Sequence, residues 1–362
     1  MNKKTVLIVG GYGVVGSQIA RILHDRHPDL EIRLGGRTLG KALPFESERV
    51  KIVKVDNTTD DPLRNLDDNF TLVVNAVNDP QDRLLLSAVR KKIPLVDITR
   101  WTERFKSSIE RLKNIEVQSP VVLASGWMGG TAALFSKIYS KDLQEVTVDI
   151  NALYSLQDKA GPNSTAYMDR LTIPFEVKAR EGMQQAYPMT NPIKIRFPNG
   201  YITKCYRLDT PDHVTLPESI HAVSTNFRIA FDSKISTYGL VSLVNTGIWK
   251  MISGEKFTNF RKSILYKPGR GSAHNIVIHL KGYDATGVLH RRCVNISDPL
   301  GQTHLTALGA AVQAENILQP SDIVVPDSKI YFPENLLDLG VNASAILDFY
   351  REYGVNITKE NI

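Results

Sequence analysis

Thr5-Val6-Leu7-Ile8-Val9-Gly10-Gly11-Tyr12-Gly13-Val14-Val15-Gly16 is the stretch that decides how this chain folds. Thr5 to Val9 form a short β-branched run, which reads as a buried strand. The residues that follow, VGSQIARILHDRH, carry apolar side chains at helical spacing. Between them Gly11, Gly13 and Gly16 spell GxGxxG, and counted from Gly10 the same turn is GxxGxxG. Glycine permits the tight turn and lets backbone approach a pyrophosphate, whose charge the helix N-terminus then holds. Strand-to-helix turns that bind nothing also use glycine, so the weight of the pattern comes from its place directly after a strand and before a helix. Gly10, Gly11, Tyr12, Gly13, Val14, Val15 and Gly16 are therefore expected to cradle a dinucleotide.

Outward from this turn, short strands alternate with helical stretches. EIRLGG, VKIVKVD, FTLVVNAV, IPLVDIT and PVVLASG read as strands two to six, with segments such as PQDRLLLSAVRKK between them. Such alternation builds an α/β domain of Rossmann type, a doubly wound parallel sheet whose ligand lies at the carboxyl ends of its strands. After Gly126 the texture changes to longer, irregular segments, with strands such as EVTVDINALYSL and NIVIHLKGYD. This stretch is expected to be a mixed α/β substrate and dimerisation domain. Near the end THLTALGAAVQAENIL reads as a strongly amphipathic helix of about four turns. The expected domains are 1–126, 127–302 and a C-terminal helical segment, 303–362, packing back on the first.

A chain of 362 residues that is 42% hydrophobic and 23% charged has material for two cores and falls outside the disordered and collagen-like classes. Cys205 and Cys293 are too few for a disulfide framework, and no zinc spacing accompanies them, so a reducing compartment and no metal are expected. The excess of +6 is mild and spread along the chain, which does not call for a nucleic-acid partner. The start, MNKKTVLIVGG, imitates a signal peptide, but glycines follow its short apolar run instead of a cleavage site, so a cytoplasmic location is expected. Tyr238 to Ile252 is the longest other apolar stretch. It contains Asn245 and Lys250, falls short of the about 18 to 20 residues that span a bilayer, and reads as a buried or partly surface-lying helix without stable membrane insertion.

The end of the second strand selects the nucleotide. A site for NAD places Asp or Glu there to accept from the ribose 2′-hydroxyl. Here the strand ends in Gly35-Gly36-Arg37-Thr38, a cation and a hydroxyl that suit a 2′-phosphate, so NADP(H) is the expected cofactor. Unless Arg37 reaches that phosphate, it is simply a solvated surface arginine. Asp56 and Asn57 close the third strand, where they either meet the adenine edge or form an Asx turn. Asn75, Ala76, Val77 and Asn78 close the fourth, and small residues there let the cofactor pass close to backbone. Asp97 ends the fifth strand near the expected nicotinamide, where it acts on protons or caps a turn.

Taken together, GGYGVVG, GGRT, VVNAV, PLVDIT and Gly126-Trp127-Met128-Gly129-Gly130 resemble the saccharopine dehydrogenase-like oxidoreductases. Gly161 to Ala166 is similar to that family's Gly/Ser/Thr turn, and Phe332-Pro333-Glu334 to its closing Pro-Glu segment. The resemblance is good over residues 1–130 and patchy beyond. Gly129 stands where the family has the proline of a Pro-Gly pair, so the substrate-pocket loop differs and the family's amino-acid substrates do not carry over. What the resemblance implies is a nicotinamide-dependent enzyme of imine or secondary-amine chemistry, and an exposed sheet in the second domain that makes a homodimer.

General acids are then required, and no tight motif marks them. His221 and His274 have the right ordinary pKa range, and with Asp97 they are the catalytic candidates. Each histidine equally suits a surface or a core position. Lys267 and Arg270, within KPGRGS, suit a carboxylate or phosphate clamp or a basic turn. Tyr167 and Arg170 follow the Gly/Ser/Thr turn, and Trp101, Trp127 and Met128 follow strand ends where aromatic and apolar groups line small-molecule pockets. The expected activity is NADPH-dependent reduction of a C=N bond in a small metabolite, by hydride transfer from nicotinamide C4. Two alternatives stand beside it: reduction of a C=C or C=O bond on the same fold, and a non-catalytic NADP-binding sensor or scaffold.

Overall fold

The computed structural model describes residues 4–39, 42–66, 69–159, 167, 169–265, 269, 271–318 and 330–362. The chain divides into two compact units, Met1–Thr131 with Thr306–Ile346, and Ala132–Leu305 with Leu347–Ile362. In chain order the elements are β1 (Thr5–Val9), α1 (Val14–Arg26), β2 (Glu31–Gly36), β3 (Val50–Lys54), β4 (Leu72–Asn75), α2 (Arg83–Arg90), β5 (Leu95–Asp97), α3 (Thr102–Lys113), β6 (Val121–Leu123), α4 (Thr131–Ser140), β7 (Gln144–Tyr154), β8 (Phe175–Ala179), β9 (Gly182–Ala186), β10 (Ile193–Arg196), β11 (Ile202–Arg207), α5 (Asp212–Ser219), β12 (Ser224–Phe231), α6 (Lys234–Asn245), α7 (Ile248–Met251), α8 (Thr258–Leu265), β13 (His274–Tyr283), β14 (Leu289–Asp298), α9 (Gln302–Leu318), β15 (Ile330–Tyr331), α10 (Ala343–Glu352) and β16 (Asn356–Asn361).

The first unit is built on a seven-stranded sheet in the order β15-β6-β5-β4-β1-β2-β3, parallel throughout. Val6, Leu7, Ile8, Leu72, Val73 and Val74 are wholly buried, as expected of parallel strands covered on both faces. All six strands read from the sequence are present, in the order that makes β1 and β4 the switch point. The fold is thus an α/β Rossmann-type sheet followed by a mixed sheet.

The second unit carries a sheet in the order β10-β11-β12-β7-β13-β14-β16, in which β12 and β7 are parallel and the other pairs antiparallel. The hairpin β8-β9 stands apart. The terminal strand β16 pairs with β14 and belongs to the second unit. The helix α9 is buried on nearly all faces, which corrects the amphipathic expectation. Its small residues let backbone approach closely: a Cβ on Gly309 would stand 2.6 Å from the Met128 carbonyl oxygen. Among the described residues no helix is long and apolar enough to cross a membrane.

Candidate functional site

The turn between β1 and α1 is held by its own backbone. Gly10 N–H donates to Gly35 O at 2.8 Å, Gly11 N–H to Ile8 O and Gly13 N–H to Gly10 O. Gly10 has φ +86°, and a Cβ there would lie 2.5 Å from Val77 Cγ1, so the turn packs directly on the loop after β4. A Cβ on Gly16 would lie 2.3 Å from Gly10 O, which is why the helix can start only with glycine at that point. The first turn of α1 has no side-chain cap and no acidic residue, so its leading N–H groups and positive dipole end face an anion without competition. Val14 and Gly13 are exposed there.

Beside this turn, the ring of Tyr12 lies over Gly36, where a Cβ would come within 3.1 Å of Cδ2. The Tyr12 hydroxyl is buried without a hydrogen-bond partner, and burial pushes its pKa up. Arg37 and Thr38 follow, both exposed. Asp56 accepts from the Thr58 N–H at 3.0 Å and from its hydroxyl at 2.7 Å. These two bonds, with smaller help from the Arg37 and Lys54 charges, hold its carboxyl below the usual range. Asp56 thus forms an Asx turn through Oδ1, with Arg37 in its field. Asn57 donates to Asn78 O at 2.7 Å and ties the loops after β3 and β4 together. The glycine-rich turn, Tyr12, Gly36 and Val77 thus form one crevice mouth. An orphaned hydroxyl, an uncapped helix N-terminus and exposed Gly13 and Val14 fit a dinucleotide.

At the ends of β4 and β5 the polar groups turn inward. Asn75 and Asp97 are wholly buried. Asn75 Nδ2 donates to Asp97 Oδ2 at 2.9 Å, and Asn75 Oδ1 accepts from Val77 N–H, so this side chain shapes its loop from within. Asp97 further accepts from Thr99 N–H at 2.9 Å, from the Thr99 hydroxyl at 3.0 Å and from Arg100 Nη2 at 2.8 Å. Arg100, fully buried, also meets Asp82 and the Ser108 hydroxyl. Asp97 thus takes four donors within a buried ion pair, which occupies the lone pairs of its carboxylate. Asp79, wholly buried, caps α2 by accepting from Arg83 and Leu84 N–H. Arg104 bonds Asn78 and the Asp79 carbonyl, and its guanidinium lies 4.9 Å from the centroid of the half-buried Trp101 ring.

After β6 the segment Gly126-Trp127-Met128-Gly129-Gly130 makes a turn with Met128, Gly129 and Gly130 at φ +55°, +64° and +83°. Proline is confined to φ near −65°, so the family's proline is incompatible with the backbone at Gly129. Gly130 has no room for a Cβ, which would fall 2.0 Å from Pro333 Cγ. Trp127 is half-buried, and Met128 is nearly buried with its sulfur accepting from the Thr306 hydroxyl.

In the second unit Tyr167 lies with Arg170, Asp209 and Asp212, and burial together with the two carboxylates pushes its hydroxyl pKa far up. His213, beside them, accepts from Phe227 N–H at 3.0 Å through Nε2 and stacks on Phe175. His274 is wholly buried, and burial pushes its pKa down to about 3. It opens β13 with its side chain shut off from solvent. His221 is exposed at φ +52° beyond the end of α5. Lys267, Arg270 and the Gly161 to Ala166 turn lie outside the described residues. Arg100, Asp82, Asp209 and Asp212 escape a sequence reading because no spacing announces a buried charge; the only clue is Arg100, three residues past a strand-end aspartate.

Residues 6–153 match the family described as the saccharopine dehydrogenase NADP binding domain. No curated protein matches the chain. Among solved structures it is similar to saccharopine dehydrogenase (L-Glu forming) from Saccharomyces cerevisiae, with a TM-score of 0.67 at 13% identity over 99% of this chain and 100% of that one. It is also similar to the homospermidine synthase of Legionella pneumophila, solved in complex with NAD, with a TM-score of 0.62 at 11% identity over 100% of this chain and 92% of that one. At these identities the likeness is one of fold.

Proposed function

We propose that this chain, whose residues 6–153 match the saccharopine dehydrogenase NADP binding domain, is an NAD(P)-dependent oxidoreductase that uses NADPH to reduce a C=N bond in a small metabolite. The observation that carries the cofactor choice is the end of β2, where exposed Arg37 and Thr38 replace the carboxylate an NAD site needs. A guanidinium there gives a 2′-phosphate a charge-assisted bond. The Tyr12 hydroxyl adds a donor with no other use, and the leading N–H groups of α1 receive the pyrophosphate. When bound, the cofactor supplies a hydride.

Support for imine chemistry comes from the two relatives by fold, whose names specify saccharopine and homospermidine, both secondary amines. A C=N bond accepts hydride best as the cationic iminium, so the protein must keep positive charge on nitrogen. The paired carboxylates Asp209 and Asp212, beside Tyr167 and Arg170, supply that field in the second unit. Tyr167, with its pKa raised, keeps its proton and donates a hydrogen bond; Arg170 suits a substrate carboxylate. Trp101, Trp127 and Met128 are assigned to the apolar lining. Asp97 acts through Asn75 and Thr99, fixing the loops after β4 and β5.

The test is turnover. Purified protein offered cyclic imines, or amines mixed with keto acids, is expected to oxidise NADPH with matching loss of imine. Binding without oxidation across both sets would replace this reading with a sensor or scaffold, and oxidation only with enones or ketones would replace the C=N substrate.

A further inference from the structure

Three successive helices of the second unit turn apolar side chains outward. On α6 these are Ile235 and Tyr238, on α7 Ile248 and Met251, and around the start of α8 Phe257 and Phe260. Each pair is spaced i, i+3, so each helix shows one apolar stripe to solvent. Ile235 is 87% exposed, Met251 79% and Phe260 54%, values ordinary for lysine and costly for these residues. The helices are nonetheless anchored from beneath, by Thr237 and Leu240, by the wholly buried Trp249, and by Arg261, which bonds the carbonyls of Ile252 and Gly254 and the carboxylate of Asp169.

The charge on this face is mostly positive. Between residues 234 and 262 there are five Lys or Arg and a single acid, Glu255. Lys234, Lys250 and Lys256 are exposed, interleaved with the apolar stripes. A two-fold contact with a second copy of this chain would oppose two faces of the same positive charge. An anionic bilayer surface satisfies both features: apolar side chains enter the boundary between headgroups and acyl chains, and lysines meet the negative headgroups. The helices are short and broken by Gly247 at φ +80°, so this surface lies on a membrane and does not cross it.

We propose that the helical face formed by residues 234–260 docks the enzyme reversibly onto anionic lipid membranes. The test is flotation of the full chain with phosphatidylcholine vesicles, with and without phosphatidylglycerol. Binding is expected to the anionic vesicles alone and to fall at least tenfold between low and high salt. The triple variant Lys234→Gln, Lys250→Gln, Lys256→Gln is expected to lose about fivefold per lysine. The variant Ile235→Ser, Met251→Ser, Phe257→Ser is expected to lose binding at an unchanged melting temperature, while Lys113→Gln, on an exposed helix of the first unit, keeps it. Absence of flotation at low salt would overturn the proposal, as would flotation that survives both triple variants. Dissociation of a solution dimer by the serine variant, with no vesicle binding by the parent chain, would assign the face to a second copy instead.

Discussion

At the carboxyl ends of β1 and β2 the protein leaves hydrogen-bonding groups open, whereas at the ends of β4 and β5 it turns them on one another. The first region offers an uncapped helix N-terminus, the orphaned Tyr12 hydroxyl and exposed Arg37. The second region is a closed network of Asn75, Asp97, Thr99, Arg100, Asp82 and Ser108, all buried. Both lie at strand ends of one parallel sheet, where ligands of such folds bind. Open donors recruit a ligand, while satisfied ones build the floor on which it rests; the sequence alone does not separate the two, because aspartate and arginine serve either purpose.

Replacing Asp97 by alanine breaks the comparison most severely. It takes from the fully buried Arg100 one of its two carboxylate partners and leaves the Asn75 and Thr99 donors without theirs, and is expected to cost about 3 to 5 kcal/mol of stability, measured by urea unfolding. A stable Asp97→Ala protein that has lost only turnover would restore a direct catalytic role to Asp97. Gly16→Ala attacks the open end through packing: its methyl would stand 2.3 Å from Gly10 O. A loss of about 1 to 3 kcal/mol is expected, with weakened nucleotide binding visible by calorimetry.

Acid stability sharpens the contrast by showing what belongs to neither end. His274 has its pKa lowered by burial to about 3 in the folded protein, while the unfolded chain takes up a proton near 6.5. The unfolded state then binds more protons in this window, so stability is full above about 6.5 and is lost as the pH falls toward 3. His274→Asn is expected to flatten that slope in melting experiments at graded pH. Tyr12→Phe is the smallest change. Deleting one hydroxyl donor is expected to weaken NADPH binding about threefold to tenfold and leave NADH nearly untouched. An equal loss for both cofactors would move the hydroxyl away from the 2′-phosphate.

The first sheet was legible because β1, β4 and β6 are short apolar runs and its first turn is written in glycines whose missing Cβ atoms matter. The amphipathic reading of the helix at 302–318 failed because alanines and Gly309 pack on every side. The short polar strand at 356–361 carries no pattern of its own and is formed by pairing with β14. At the site, Gly10 to Gly16 and Val77 come together as the spacing implies. Asp97 and His274 were chosen for residue type, which does not announce that both are wholly buried. Gly129 and Gly130 are fixed by backbone geometry, which the sequence reports only as a departure from proline.

The most direct test of the open end is a fluorescence titration with NADPH and NADH, on the parent protein and on Arg37→Ala. NADPH is expected to bind at least tenfold more tightly than NADH, and most of that gap, about 1.4 kcal/mol per tenfold, is expected to vanish in the variant. Equal affinities in the parent protein, or a gap that survives the loss of Arg37, would contradict it.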